Sequence, residues 1–117
     1  MKIKPDSLTK ESMIQINKQF EDGALRDEAT LKYIVYVVSK TRGDNQKAAT
    51  MLTEITTKHP FIDGNKRTAI EATKTLLNLY HKKITAKDQT IYDLIYRITS
   101  QRYTIKESTT WIANHIK

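Results

Sequence analysis

His59-Pro60-Phe61-Ile62-Asp63-Gly64-Asn65-Lys66-Arg67 runs directly into Thr68-Ala69-Ile70-Glu71-Ala72-Thr73-Lys74-Thr75-Leu76-Leu77-Asn78-Leu79-Tyr80. In the second half Ala69, Ala72, Thr73, Leu76, Leu77 and Tyr80 recur at helical spacing, which predicts a helix with one buried face. The first half interrupts helical geometry. A residue before proline is pushed out of the α region, so a preceding helix should stop near His59. Gly64 breaks the chain again, and Asn65, Lys66 and Arg67 should then fill the first turn of the long helix. The stretch reads as a joint that leads into the central helix of an all-α fold.

The flanking sequence agrees. Only three glycines and two prolines punctuate the chain, and apolar residues recur at three and four more often than at two. A first helix from about Ser7 to Phe20 carries Met13, Ile16 and Phe20 on one side, and Glu21-Asp22-Gly23 ends it. From Glu28 to Thr41, Leu31, Ile34, Val35 and Val38 fall on one helical face, although the β-branched density there makes a strand the competing reading. Asp44 is placed to cap a third helix bearing Ala48, Leu52 and Ile55. After the long helix, Ile91, Leu94, Ile95 and Ile98 define another face, and Thr104 with Glu107 makes a capping box for a last helix burying Ile112 and Ile116. Six helices joined by short loops are expected, without repeats or linkers.

A chain of 117 residues is the size of one domain, so a single domain over 1–117 is expected. Without cysteine there is no disulfide framework, thiolate nucleophile or cysteine zinc site, which leaves histidine, carboxylates, hydroxyls and bound ligands for chemistry. A reducing cytoplasm fits that composition. No apolar run near the start resembles a signal peptide, and Tyr33–Val38 is too short to span a bilayer. The excess of 20 Lys plus Arg over 13 Asp plus Glu gives a net charge of +7, which favours phosphate-bearing or acidic partners. Solvated lysines on a helical protein explain the same number.

The joint itself has the parts of a phosphate site. It faces a helix N-terminus, where unsatisfied N–H groups and the positive end of the helix dipole attract anions. Gly64 permits close approach, Lys66 and Arg67 add positive charge, and Asn65 can donate to a phosphate oxygen. Asp63 is a hard oxygen ligand suited to magnesium bridging the phosphates, and His59 can take the proton of an incoming hydroxyl. Singly, each residue has an ordinary role: Asp63, Gly64 and Asn65 as turn or capping residues, Phe61 as a core plug, His59 as a helix cap. Their joint order is what points to chemistry.

HPFIDGNKR resembles the signature of the Fic/Doc (death-on-curing) family, H-x-F-x-[DE]-[GA]-N-[GK]-R, at every specified position. Gly23-Ala24-Leu25-Arg26-Asp27-Glu28 is also similar to a Gly-Leu-Arg-Asp stretch of some members, and the helix pattern resembles the compact six-helix death-on-curing bundle. The resemblance implies His59 as general base, Asp63 as the magnesium ligand, Gly64, Asn65 and Arg67 as phosphate-binding residues, and Phe61 as the structural anchor of the loop. It implies ATP as co-substrate with Mg2+. Position 66 divides the family: members that transfer AMP usually have glycine there, whereas the death-on-curing toxins have lysine and resemble kinases that present the γ-phosphate to the histidine. This chain has Lys66, and Ile70 stands where AMP-transferring members carry a second arginine. Gly64 leans the other way, since the toxin type has alanine there. Ser7-Leu8-Thr9-Lys10-Glu11-Ser12 is the nearest match to the inhibitory pattern [ST]-x-x-x-E-[GN] and fails at its last position, so restraint by a separate antitoxin is implied. Elongation factor Tu is the implied protein target.

Other classes fit less well. A basic helical nucleic-acid binder would use Lys58, Lys66, Arg67, Lys74, Lys82 and Lys83 on a backbone, but nothing in the sequence reads bases. A metal-dependent hydrolase built on His59 and Asp63 lacks a spaced third ligand, with His81 and His115 read as helix-surface residues. A P-loop is excluded because Gly64-Asn65-Lys66-Arg67-Thr68 lacks the preceding glycine and strand.

Overall fold

The computed structural model describes residues 8–117 and contains six α-helices. These are α1 (Lys10–Asn17), α2 (Glu28–Lys40), α3 (Asp44–Lys58), α4 (Asn65–Leu79), α5 (Asp88–Ser100) and α6 (Ile105–Ala113). The expected first-helix start at Ser7 lies outside the described residues; α1 begins at Lys10, after Thr9 and Ser12 close a reciprocal capping box. It ends at Asn17, and a turn rather than helix carries the chain through Phe20.

The choice between helix and strand for α2 is decided by burial. Its five β-branched residues each cost no more than about 0.7 kcal/mol against alanine in a helix. Full burial of Leu31, Ile34 and Val38, all on one helical stripe, is worth about 1.5–3 kcal/mol apiece. Asp27 adds an N-cap, accepting from the N–H groups of Ala29 and Thr30. At the other end the ammonium of Lys47, itself buried, donates to the carbonyls of Val38 and Ser39 at 2.9 and 3.2 Å. Both lie in the last turn, where carbonyls lose their helical partners, and Val38 O also accepts from Thr41 N–H at 3.2 Å.

Two expectations at helix ends shift. Asp44 is the first residue of α3 rather than its cap; Gly43 at φ +89° occupies the cap position, and the Asp44 carboxylate pairs with Lys82 at 2.8 Å. Ile116 is not on α6, which stops at Ala113; it forms an antiparallel bridge with Ile84 and is half-buried. The Thr104–Glu107 capping box of α6 is present in both directions.

Helices α3 and α4 form the centre of the bundle. The first touches α2, α4, α5 and α6, while α1 packs on α4. Their buried residues are largely small and aliphatic, including Ala48, Ala49, Leu52, Ile55, Ala69, Ala72 and Leu76, all essentially inaccessible. Because the centre of the bundle is the α3–α4 pair, the loop between them, residues 59–64, is held at both ends by the most deeply packed elements. No described helix is long and apolar enough to cross a membrane.

Candidate active site

His59 is the C-cap of α3 and sits in the left-handed region at φ 51°, ψ 64°. Pro60 explains why the helix cannot continue, and the left-handed turn redirects the chain at the histidine itself. The side chain is exposed. Phe61 follows, wholly buried, and pairs with Leu25 in a short antiparallel bridge reinforced by Ile62 N–H to Ala24 O at 3.0 Å. The loop then passes through Gly64 at φ +77°, which is the N-cap of α4 and offers no side chain to its N–H groups. The first-turn N–H groups of Asn65, Lys66 and Arg67 therefore lack both an intrahelical partner and a side-chain cap.

Two asparagines fasten the loop. The Asn65 carboxamide accepts from Phe61 N–H and donates to Phe61 O, both at 2.9 Å. Its side chain is thus turned onto the loop, and what it leaves for an anion is its backbone N–H. Asn17, wholly buried at the end of α1, donates to Asp63 O at 2.9 Å and Thr68 Oγ1 at 3.0 Å, and accepts from Gly23 N–H at 2.9 Å. Arg26 holds the other side: Nε donates to His59 O at 2.7 Å, its terminal nitrogen to Lys58 O, and its backbone N–H to Pro60 O at 2.8 Å.

A cavity of about 380 Å³ opens on this loop, lined by His59, Ile62, Asp63, Gly64, Asn65, Lys66 and Arg67, with Tyr92 of α5 as the facing aromatic. A larger groove of about 610 Å³ between α2, α3 and α6 includes Val37, Thr41, Gln46, Thr50 and Ile105, with neither carboxylate nor histidine in its lining. A third hollow, over α6, contains Glu107 and His115, but Glu107 closes the α6 cap, and His115 stacks on Trp111 at 3.8 Å with Nδ1 2.7 Å from the Trp111 carbonyl. The loop cavity is where a histidine and a carboxylate remain available together. Among the described residues the side chains of His59, Asp63 and Lys66 make no hydrogen bond or ion pair, and all three are exposed.

Arg67 is held more closely. Its guanidinium lies 5.0 Å from the centre of the Phe20 ring and within 4.0 Å of Glu71 and 3.9 Å of Asp88. Asp88 in turn accepts from Lys74 at 2.7 Å, and that hydrogen bond, with the charges of Lys74 and Arg67, holds its carboxyl below the usual aspartate range. The described residues contain no cluster of three or more His, Cys, Asp or Glu able to cage a metal. A lone exposed carboxylate such as Asp63 instead fits magnesium, which keeps several waters and takes further oxygens from substrate phosphates.

The sequence reading brought His59, Asp63, Gly64, Asn65, Lys66 and Arg67 to one place, and the structure puts all six on one cavity with Phe61 beneath them. It gives no role to Asn17 or Tyr92, and Arg26 enters it only within the Gly23–Glu28 stretch that resembles some family members. Asn17 left a signal, because it falls on the same helical stripe as Met13, Ile16 and Phe20 and is the polar residue of that stripe. Nothing in the sequence alone joins Arg26 to a loop more than thirty residues away.

A helical bundle whose two central helices are linked by a proline–glycine joint, with a histidine and a carboxylate beside an uncapped helix N-terminus, defines a domain built to handle phosphate groups. The family model described as Fic/DOC family matches residues 7–77, and the chain belongs to that family. Domains of this family are typically transferases that use ATP and generally Mg2+. No curated protein and no solved structure matches the chain.

Proposed function

We propose that the chain transfers the γ-phosphate of ATP to a hydroxyl of a protein, as a toxin that inhibits translation and is restrained by a separate antitoxin in the cytoplasm. Elongation factor Tu is the proposed target. The observation that carries this reading is the pair Lys66 and Ile70. Lys66 is exposed on the cavity with no ion pair among the described residues, so its charge is available to a terminal phosphate. Ile70, where AMP-transferring relatives carry a second arginine, is 1% exposed and belongs to the core.

In the proposed reaction the target hydroxyl attacks the γ-phosphorus, its proton passes to the imidazole of His59, and ADP leaves with the electrons of the broken P–O bond. The first-turn N–H groups of α4, with Lys66 and Arg67, receive the phosphate oxygens. Asp63 would hold magnesium, which supplies charge neutralisation across the phosphates when bound.

AMP transfer is the second reading, favoured by Gly64, the residue typical of the wider family. The deciding experiment incubates the purified chain with a bacterial or archaeal lysate and ATP labelled at either the α- or the γ-phosphate. Protein label from the γ position alone establishes phosphorylation. Label from the α position alone replaces it with AMP transfer, and no label in either arm removes both. His59→Ala should abolish label while retaining the fold; unchanged labelling would remove the general-base role.

A further inference from the structure

We infer that Arg26 is a positioning residue for His59, and that its side chain fixes the backbone from which the imidazole projects. This rests on the role of His59 proposed above. Three consecutive carbonyls, those of Lys58, His59 and Pro60, each accept a hydrogen bond from this one residue, two from the guanidinium and one from the main chain. Lys58 and His59 stand at the C-terminus of α3, where carbonyls lose their helical partners and the helix dipole is negative. A planar guanidinium satisfies two neighbouring carbonyls at once with little further ordering, which an ammonium cannot do.

The site needs such a clamp. A non-glycine residue is disfavoured in the left-handed region, so φ 51° at His59 persists only if its surroundings enforce it. Pro60 excludes the right-handed α region but leaves extended conformations open. Rotating His59 to an extended φ would swing its carbonyl out of reach of Arg26 Nε and redirect the imidazole. Arg26 is exposed and adds nothing to the core, so its contacts to these carbonyls are its structural role.

The test uses the full chain with Arg26→Gln and Arg26→Lys. The first readout is the three-bond HN–Hα coupling of His59 in labelled protein, which reports φ and needs no activity. The second is transfer kinetics with kcat and the KM for ATP measured separately. Arg26→Gln should move the His59 coupling away from its left-handed value and lower kcat about 10- to 100-fold, with the KM for ATP within about twofold. Arg26→Lys should fall between, and it carries the measurement if Arg26→Gln does not fold. An unchanged coupling, or an effect confined to the KM for ATP with kcat unaltered, would overturn the inference. If the wild-type chain transfers no label, the proposed reaction fails while the coupling still decides the role of Arg26.

Discussion

The buried carboxamide of Asn17 donates a 2.9 Å hydrogen bond to the carbonyl of Asp63, 46 residues further along the chain. Through it the end of α1 sets the height of the loop over α4, because the same Nδ2 also reaches Thr68 Oγ1 in the first turns of that helix. Asn17→Ala leaves Gly23 N–H and the Thr68 hydroxyl without their partner, at a cost of about 1–3 kcal/mol for the unsatisfied groups. Denaturant unfolding should show the loss. Asn17→Asp keeps the acceptor for Gly23 but sets a carboxylate against a carbonyl, and should be the worse of the two; a smaller loss for aspartate would mean the amide donors are not what holds the loop.

Gly64 is constrained by its backbone more than by space. At φ +77°, an alanine there pays about 1–2 kcal/mol for the left-handed conformation. Its Cβ would also come within 2.8 Å of Glu21 Cγ and 3.3 Å of Asn17 Nδ2; Glu21 is an exposed, flexible side chain that can turn away, and the buried Asn17 need give only a few tenths of an ångström. Gly64→Ala should therefore be destabilised by that amount in thermal unfolding, and adding Glu21→Ala should recover only a minor part of it. Full recovery in the double variant would show that crowding, not φ, sets the requirement.

Much of this was legible in the sequence, for identifiable reasons. The apolar periodicity of Ala69 through Leu77 and the Pro60–Gly64 interruption are local signals, and both the helix and the break lie where they place them. The β-branched run of α2 was ambiguous because intrinsic propensity is weaker than the burial that overrides it. Asp44 looked like a cap because aspartate is a common one, yet its partner, Lys82, lies too far along the chain for any local pattern to reveal. The clamps on the site, Asn17 and Arg26, are of the same kind: their partners come from folding, whereas the residues that meet the ligand sit together in nine consecutive positions.

Lys66→Gly tests the choice between the two transfers. Its side chain is exposed and without an ion pair among the described residues, so removing it should leave stability within about 1 kcal/mol, the glycine penalty inside a helix first turn. If the ammonium orients the terminal phosphate, protein label from the γ position should fall and label from the α position should rise. An unaltered ratio of the two labels would show that position 66 does not set nucleotide orientation.

Asp88 opens α5 and ties it to α4 through Lys74 at 2.7 Å and Arg67 at 3.9 Å. Its folded pKa is lowered, first by the hydrogen bond from Lys74. A carboxyl whose pKa falls on folding contributes stability that is present above the usual aspartate range and is lost as pH falls through the folded value. Because the Asp88 side chain is 40% exposed, solvent screening limits that contribution to about 0.2–1 kcal/mol. Asp88→Asn should thus be less stable than wild type by this amount at pH 7, and the two unfolding curves should converge as pH drops below the aspartate range. The gap at pH 7 should also narrow in high salt. A difference that persists unchanged into acid would assign the effect to packing at the start of α5 rather than to the charge that links Lys74 and Arg67.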